Sequence, residues 1–150
     1  MQDNSRTSLD LKLHWRSIIE TMNDGLLVVG ENGRIALVNK ALCHFTGYSQ
    51  EELMGKSCSI LGCDACEVAR KRGRGEWCQL FDLKKVHKRR CMIRKKDGTM
   101  VPILKNASLQ KDESNNVIGA VETLTDISEL DRRADEIKTL SRPLDSEDAF

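Results

Sequence analysis

Two pairs of β-rich runs, each closed by a glycine-containing turn, restrict the fold of this chain more than any other feature. Leu26–Val29 and Ile35–Val38 flank Glu31-Asn32-Gly33, and Cys91-Met92-Ile93 and Val101–Leu109 flank Lys96-Asp97-Gly98. Asn-Gly and Asp-Gly steps supply the positive φ that a tight hairpin needs. A polar turn at Lys111–Asn116 then leads to one more β-branched run, Val117–Thr125. Strands joined by such short turns pair antiparallel. Helical spacing is confined to three other places. Leu11, Trp15, Ile18, Ile19 and Met22 share one face before Asn23-Asp24-Gly25 stops them. Residues 40–55 read as one or two short helices, broken at Gly47 and restarted by Ser49 with Glu52 three residues on, a capping box. Ile127, Leu130, Ala134 and Ile137 form a narrow seam behind a candidate N-cap at Asp126, and Arg142-Pro143 ends that helix. Helices grouped apart from an antiparallel sheet make an α+β fold.

Charge excludes several classes of function. The 24 Lys and Arg against 23 Asp and Glu give a net +1, so no global field argues for nucleic acid or membrane. No apolar run approaches the roughly 20 residues of a membrane span, and the N-terminus lacks a signal-peptide core; the expectation is a cytoplasmic chain. The balance is nevertheless uneven, with +10 over residues 69–96 and −6 over residues 107–150. The basic stretch reads as a solvated face or as a docking surface for an acidic partner. Direct nucleic-acid contact is not expected, because only Trp77 and Phe81 offer stacking surfaces there and Gly73 and Gly75 interrupt any recognition helix.

Four motifs in order resemble the PAS sensor domain. They are Asn23-Asp24-Gly25-Leu26-Leu27-Val28-Val29 with Gly33 through Ala41; Phe45-Thr46-Gly47-Tyr48-Ser49 through Glu52-Leu53-Met54-Gly55-Lys56; Arg94-Lys95-Lys96-Asp97-Gly98-Thr99; and Gly119-Ala120-Val121 through Thr125-Asp126-Ile127-Ser128. The resemblance implies a PAS domain over residues 13–130, after a flexible segment 1–12 and before a signalling helix and linker, 131–150. It implies a five-stranded antiparallel sheet cupping a ligand pocket, with flanking short helices, an N-terminal helix and a C-terminal signalling helix. The signalling junction falls on Asp126, Ile127 and Leu130. The tail Leu140–Phe150 is similar to the linker preceding the AAA+ ATPase domain of sigma-54-dependent activators, and a sensor histidine kinase is the alternative output. A homodimer through the N- and C-terminal helices is expected, since so narrow an apolar stripe is marginal alone. Gly25, Gly33, Gly47 and Gly98 fall where turns or helix ends favour positive φ. Asn39, directly after a strand, is placed to bond the adjacent backbone.

Residues 57–90 depart from the family pattern in their cysteines. Cys58, Cys63, Cys66, Cys78 and Cys91 follow C-x4-C-x2-C-x11-C-x12-C and are the candidate cofactor-binding set. Cys63 and Cys66 form a CxxC step, and with Cys78 and Cys91 they make a candidate four-thiolate metal set, suited to zinc or to an iron–sulfur cluster. Thiol redox switching and inert packing are the other readings. Cys43, between Leu42 and His44 on a helix, reads as core. His44 is the one histidine placed to touch a pocket ligand; His14 and His87 read as surface. No phosphate-binding glycine loop, GxSxG or HExxH occurs, so catalysis by these residues is not expected. The expected function is sensing of redox state, metal or a small ligand on behalf of an output domain. Alternatives are a cysteine-ligated iron–sulfur or zinc redox protein and a zinc-stabilised nucleic-acid-binding domain.

Overall fold

The structure is a computed structural model that describes residues 10–65 and 85–141. Helix α1 (Leu11–Glu20) precedes β1 (Gly25–Gly30) and β2 (Ile35–Val38); α2 (Lys40–Thr46) and α3 (Gln50–Leu53) follow, then a 3₁₀ turn at Cys58–Leu61. Strands β3 (Lys85–Arg94), β4 (Met100–Lys111) and β5 (Val117–Asp126) form a meander that runs into the exit helix α4 (Ser128–Leu140). The sheet is five-stranded in the order β2-β1-β5-β4-β3, and every pairing is antiparallel. Both hairpins, the meander and the α+β class therefore stand as the sequence predicts. Among the described residues no helix is long and apolar enough to cross a membrane.

One face of the sheet is covered by α2, α3 and the 3₁₀ turn. Leu27, Leu42, Leu53, Ile93, Ile103 and Leu124 are all at or below 2% exposed in the core between them. Each such side chain contributes about 1.5–3 kcal/mol by leaving water. The short helices are held by specific polar ties. Asn39 is 1% exposed, and its amide fills four bonds. Its Oδ1 accepts from the backbone N–H groups of Leu26 (2.9 Å) and Leu42 (3.0 Å), while its Nδ2 donates to the carbonyls of Ile19 (2.9 Å) and Asp24 (3.0 Å). It thus caps α2 and ties it to β1 and to the end of α1. The Ser49–Glu52 capping box is present at α3, and Glu52 also holds Lys96 Nζ at 2.5 Å, fastening α3 to the β3–β4 turn.

Three expectations need correction. Gly25 is not left-handed, unlike Gly33 (φ 73°), Gly47 (φ 82°) and Gly98 (φ 89°). It is small because a Cβ there would lie 2.6 Å from the Phe45 ring. Asp126 ends β5 rather than capping α4 directly: the cap position is Ile127, and Asp126 Oδ1 reaches past it to accept from Ser128 N (2.9 Å) and Oγ (2.6 Å). Strand β3 begins at Lys85, six residues before the Cys91-Met92-Ile93 run that marks it in the sequence. Its start is Lys- and Arg-rich because β3 is an edge strand, where charge blocks pairing with another chain.

Gly119 sets how closely β5 approaches β1. A Cβ at that position would stand 2.3 Å from the Val29 carbonyl oxygen, a backbone atom that cannot swing away. Gly119→Ala should lower the unfolding free energy by about 1–3 kcal/mol, read as an earlier urea midpoint at unchanged slope. At α3, hydrogen bonding from Lys96 and then from Ser49 holds the Glu52 carboxyl below the usual carboxylate range. A lowered carboxyl pKa adds stability above the unfolded value that is lost as pH falls through the folded one. Glu52→Gln should therefore cost stability at neutral pH and match the parent in acid below that lowered value, a convergence that melting curves across the acid range would register.

Candidate functional site

The inner face of the meander carries an unusual set of groups for a sheet core. Along β4 the inward positions are Val101, Ile103, Lys105 and Ala107; on β5 they include Ala120, Glu122 and Leu124. Lys105 and Glu122 are each 5% exposed and pair at 3.1 Å, Nζ to Oε1. A buried pair of this kind holds only while each charge keeps its partner. The adjoining cavity is about 20 Å³ and is lined by Cys58, Cys63, Leu61, Ile93, Lys105 and Glu122 among others. That space admits about one water molecule. A separate, open groove of about 910 Å³ lies outside the core, lined by Asn39, Cys43, His44, Glu51 and Asp126 among others. His44 is exposed and faces this groove rather than the interior, so it is not a contact of the buried cavity.

Two thiols converge, one from the end of the 3₁₀ turn and one from β3. Gly62 (φ 54°) closes the 3₁₀ turn in the left-handed conformation, with its N–H on the Ser59 carbonyl, and Cys63 then turns into the core at 7% exposed. Cys91 points inward from β3 at 3% exposed. Just before it the strand bulges: Lys88 has φ 47° and its N–H is taken by Asn106 Oδ1 at 2.9 Å. Such a bulge re-aims the side chains that follow. Cys63, Asp64 and Cys91 bring two sulfurs and a carboxylate oxygen within 4.8 Å of one another. Asp64 Oδ1 accepts from Ala65 N (2.7 Å) and Met92 N (3.0 Å), which locks the turn to β3.

The surroundings of Cys91 shift its thiol pKa upward. Its hydrogen bond with Cys63, then burial, then the charge of Cys63 push its thiol far above the usual range, Asp64 adds to this, and Lys105 acts in the opposite direction. Burial, followed by Glu20 and Glu51, also raises the Cys43 thiol.

Of the predicted cofactor set, Cys63 and Cys91 meet, and Cys58 lines the adjoining cavity. Cys66 and Cys78 lie outside the described residues. Cys43 packs against the core from α2, apart from this cluster. At the predicted junction Ile127 is buried, its N–H bonded to the Pro102 carbonyl at 3.1 Å, whereas Leu130 is 63% exposed. The sequence reading missed Asp64, Lys105 and Glu122. Alternation along Val101–Leu109 already pointed Lys105 inward; Asp64 gave no signal, since one acidic residue beside a cysteine is commonplace.

Comparison with known proteins places the chain among sensory modules. The PAS domain family model matches residues 23–129. The PAS domain of a protein from Colwellia psychrerythraea superposes with a TM-score of 0.66 at 20% identity, covering 80% of this chain and 99% of that one. A PAS domain from a two-component sensor histidine kinase gives 0.61 at 14% identity, covering 78% and 99%. In Escherichia coli the probable diguanylate cyclase DgcE is 50% identical over 42 residues, which are 28% of this chain and 4% of that protein.

Removing one member of the buried ion pair should be costly. Glu122→Gln removes the carboxylate charge 3.1 Å from the buried Lys105 ammonium and should lose about 3–5 kcal/mol of unfolding free energy. Replacing both, Lys105→Met with Glu122→Leu, should restore or exceed the parent value in the same urea titration.

Proposed function

The chain belongs to the PAS domain family, and on that premise we propose that it reads a chemical signal at its thiol cluster and passes it through β3 to the exit helix α4, so regulating an attached output domain. One observation carries this reading. Neighbouring residues on β3 face opposite sides of the sheet, and here they serve two different contacts: Cys91 joins the buried cluster, while the guanidinium of Arg90 pairs with the carboxylate of Asp131 on α4. A displacement of β3 at the cluster therefore acts on α4 through an adjacent residue.

The input is redox state, a metal or a small ligand, and the cysteines favour the first two. A 20 Å³ cavity beside a paired Lys105 and Glu122 leaves little room for an organic ligand among the described residues. The output is a sigma-54-dependent activator, with a histidine kinase as the alternative, a reading supported by the likeness of Leu140–Phe150 to the linker of those activators. A second copy of the chain is the expected partner. Leu130 and Ile137 on α4, 63% and 65% exposed, and Leu13 and Trp15 on α1 would be covered in a helix-mediated dimer.

Hydrogen exchange of the α4 amides tests the relay. Zinc loading, or mild oxidation of the thiols, should change α4 exchange several-fold in the parent and much less in Arg90→Gln. Unchanged exchange of α4 in the parent under both treatments would overturn the proposal.

A further inference from the structure

We propose that Cys63, Asp64 and Cys91 form a site for a thiophilic divalent cation of the zinc type, held by two sulfurs and one carboxylate oxygen. This deepens the sensory reading by naming what the cluster takes up. It adds Asp64 as a ligand; Cys66 and Cys78 of the four-thiolate set expected from cysteine spacing lie outside the described residues.

Geometry is the first support. Tetrahedral ligands at about 2.0–2.3 Å from zinc sit roughly 3.3–3.8 Å from each other. The three ligand atoms already lie within 4.8 Å, from two segments far apart in sequence. Closing the remaining gap needs a movement of roughly an ångström, shared among three side chains.

The donor chemistry is the second support. Thiolate donors select borderline and soft ions, whereas magnesium and calcium require an all-oxygen shell.

The surroundings are the third. Asp64 is exposed while Cys63 and Cys91 are buried, so the ion would enter from solvent on the carboxylate side and meet the sulfurs inside. The carboxylate is already oriented, because Oδ1 is held by the N–H groups of Ala65 and Met92. Held ligands of this kind bind more tightly than loose ones. Two thiolates, a carboxylate and a divalent ion sum to one negative charge, beside the cavity that Cys63 shares with the Lys105–Glu122 ion pair. Binding would draw the Cys63–Ala65 turn onto β3, the strand that carries Arg90.

Cobalt(II) reports both the thiolate count and the geometry, so the test is an oxygen-free titration of the reduced 150-residue protein with cobalt(II), followed by zinc competition. The expected spectrum shows one ion per chain, tetrahedral visible bands and sulfur-to-cobalt charge transfer of two thiolates. Cys63→Ser and Cys91→Ala should each halve the charge-transfer band. Asp64→Asn keeps a carbonyl oxygen for the two N–H groups, and should weaken cobalt by at least about tenfold while leaving the thiolate band intact at saturation. A four-thiolate spectrum indifferent to Asp64→Asn, or no charge transfer at all, overturns the site. The relay fails separately: cobalt bound with α4 exchange unchanged keeps the site and removes the sensory reading, whereas oxidation-dependent α4 exchange without cobalt binding does the reverse.

Discussion

A lysine and a glutamate face each other in the middle of the sheet, where most folds of this size place leucine or valine. Lys105 and Glu122 sit on adjacent strands, inward and buried, 3.1 Å apart. Because neither charge survives alone in that setting, β4 and β5 must keep their register and the covering helices must keep water out. Among the described residues the pair borders a cavity of about 20 Å³ that Cys58 and Cys63 also line, and Cys91 meets Cys63 beside it.

The rest of the molecule divides into a rigid part and a part that can give. Asn39 binds α1, β1 and α2 with all four of its amide bonds, and Lys96 with Glu52 fastens α3 to the β3–β4 turn. Against this frame β3 is, among the described residues, an edge strand with one neighbour, a bulge and a residue in the left-handed region. An edge strand moves at lower cost than a central one because it breaks hydrogen bonds on one side alone. Placing Cys91 and Arg90 next to each other on that strand joins the most movable element of the sheet to both the cluster and the exit helix.

Local features were legible because their causes are local. The Asn-Gly and Asp-Gly turns, the Ser49 capping box and the seam of α4 each depend on residues within a few positions, and each appears where the pattern puts it. Features that depend on a neighbour far along the chain were not legible. The start of β3 carries no apolar alternation, and the register shift between Val86 and Arg89 interrupts the period on which such a pattern depends. Gly25 is required by the Phe45 ring rather than by its own φ. Asp64 becomes a candidate ligand only because the strand carrying Cys91 lies beside it.

From its residues alone this chain determines a PAS sheet, its turns, its capped helices and an excess of cysteines where the family pattern has none. Periodicity and turn chemistry act over short range, so they are written directly in the sequence. Tertiary structure alone decides which cysteines meet, that a carboxylate joins them, and that the neighbour of one of them grips the exit helix. Those outcomes depend on strand register and on the direction of a bulged edge, which are set when the sheet closes and buries Lys105 against Glu122.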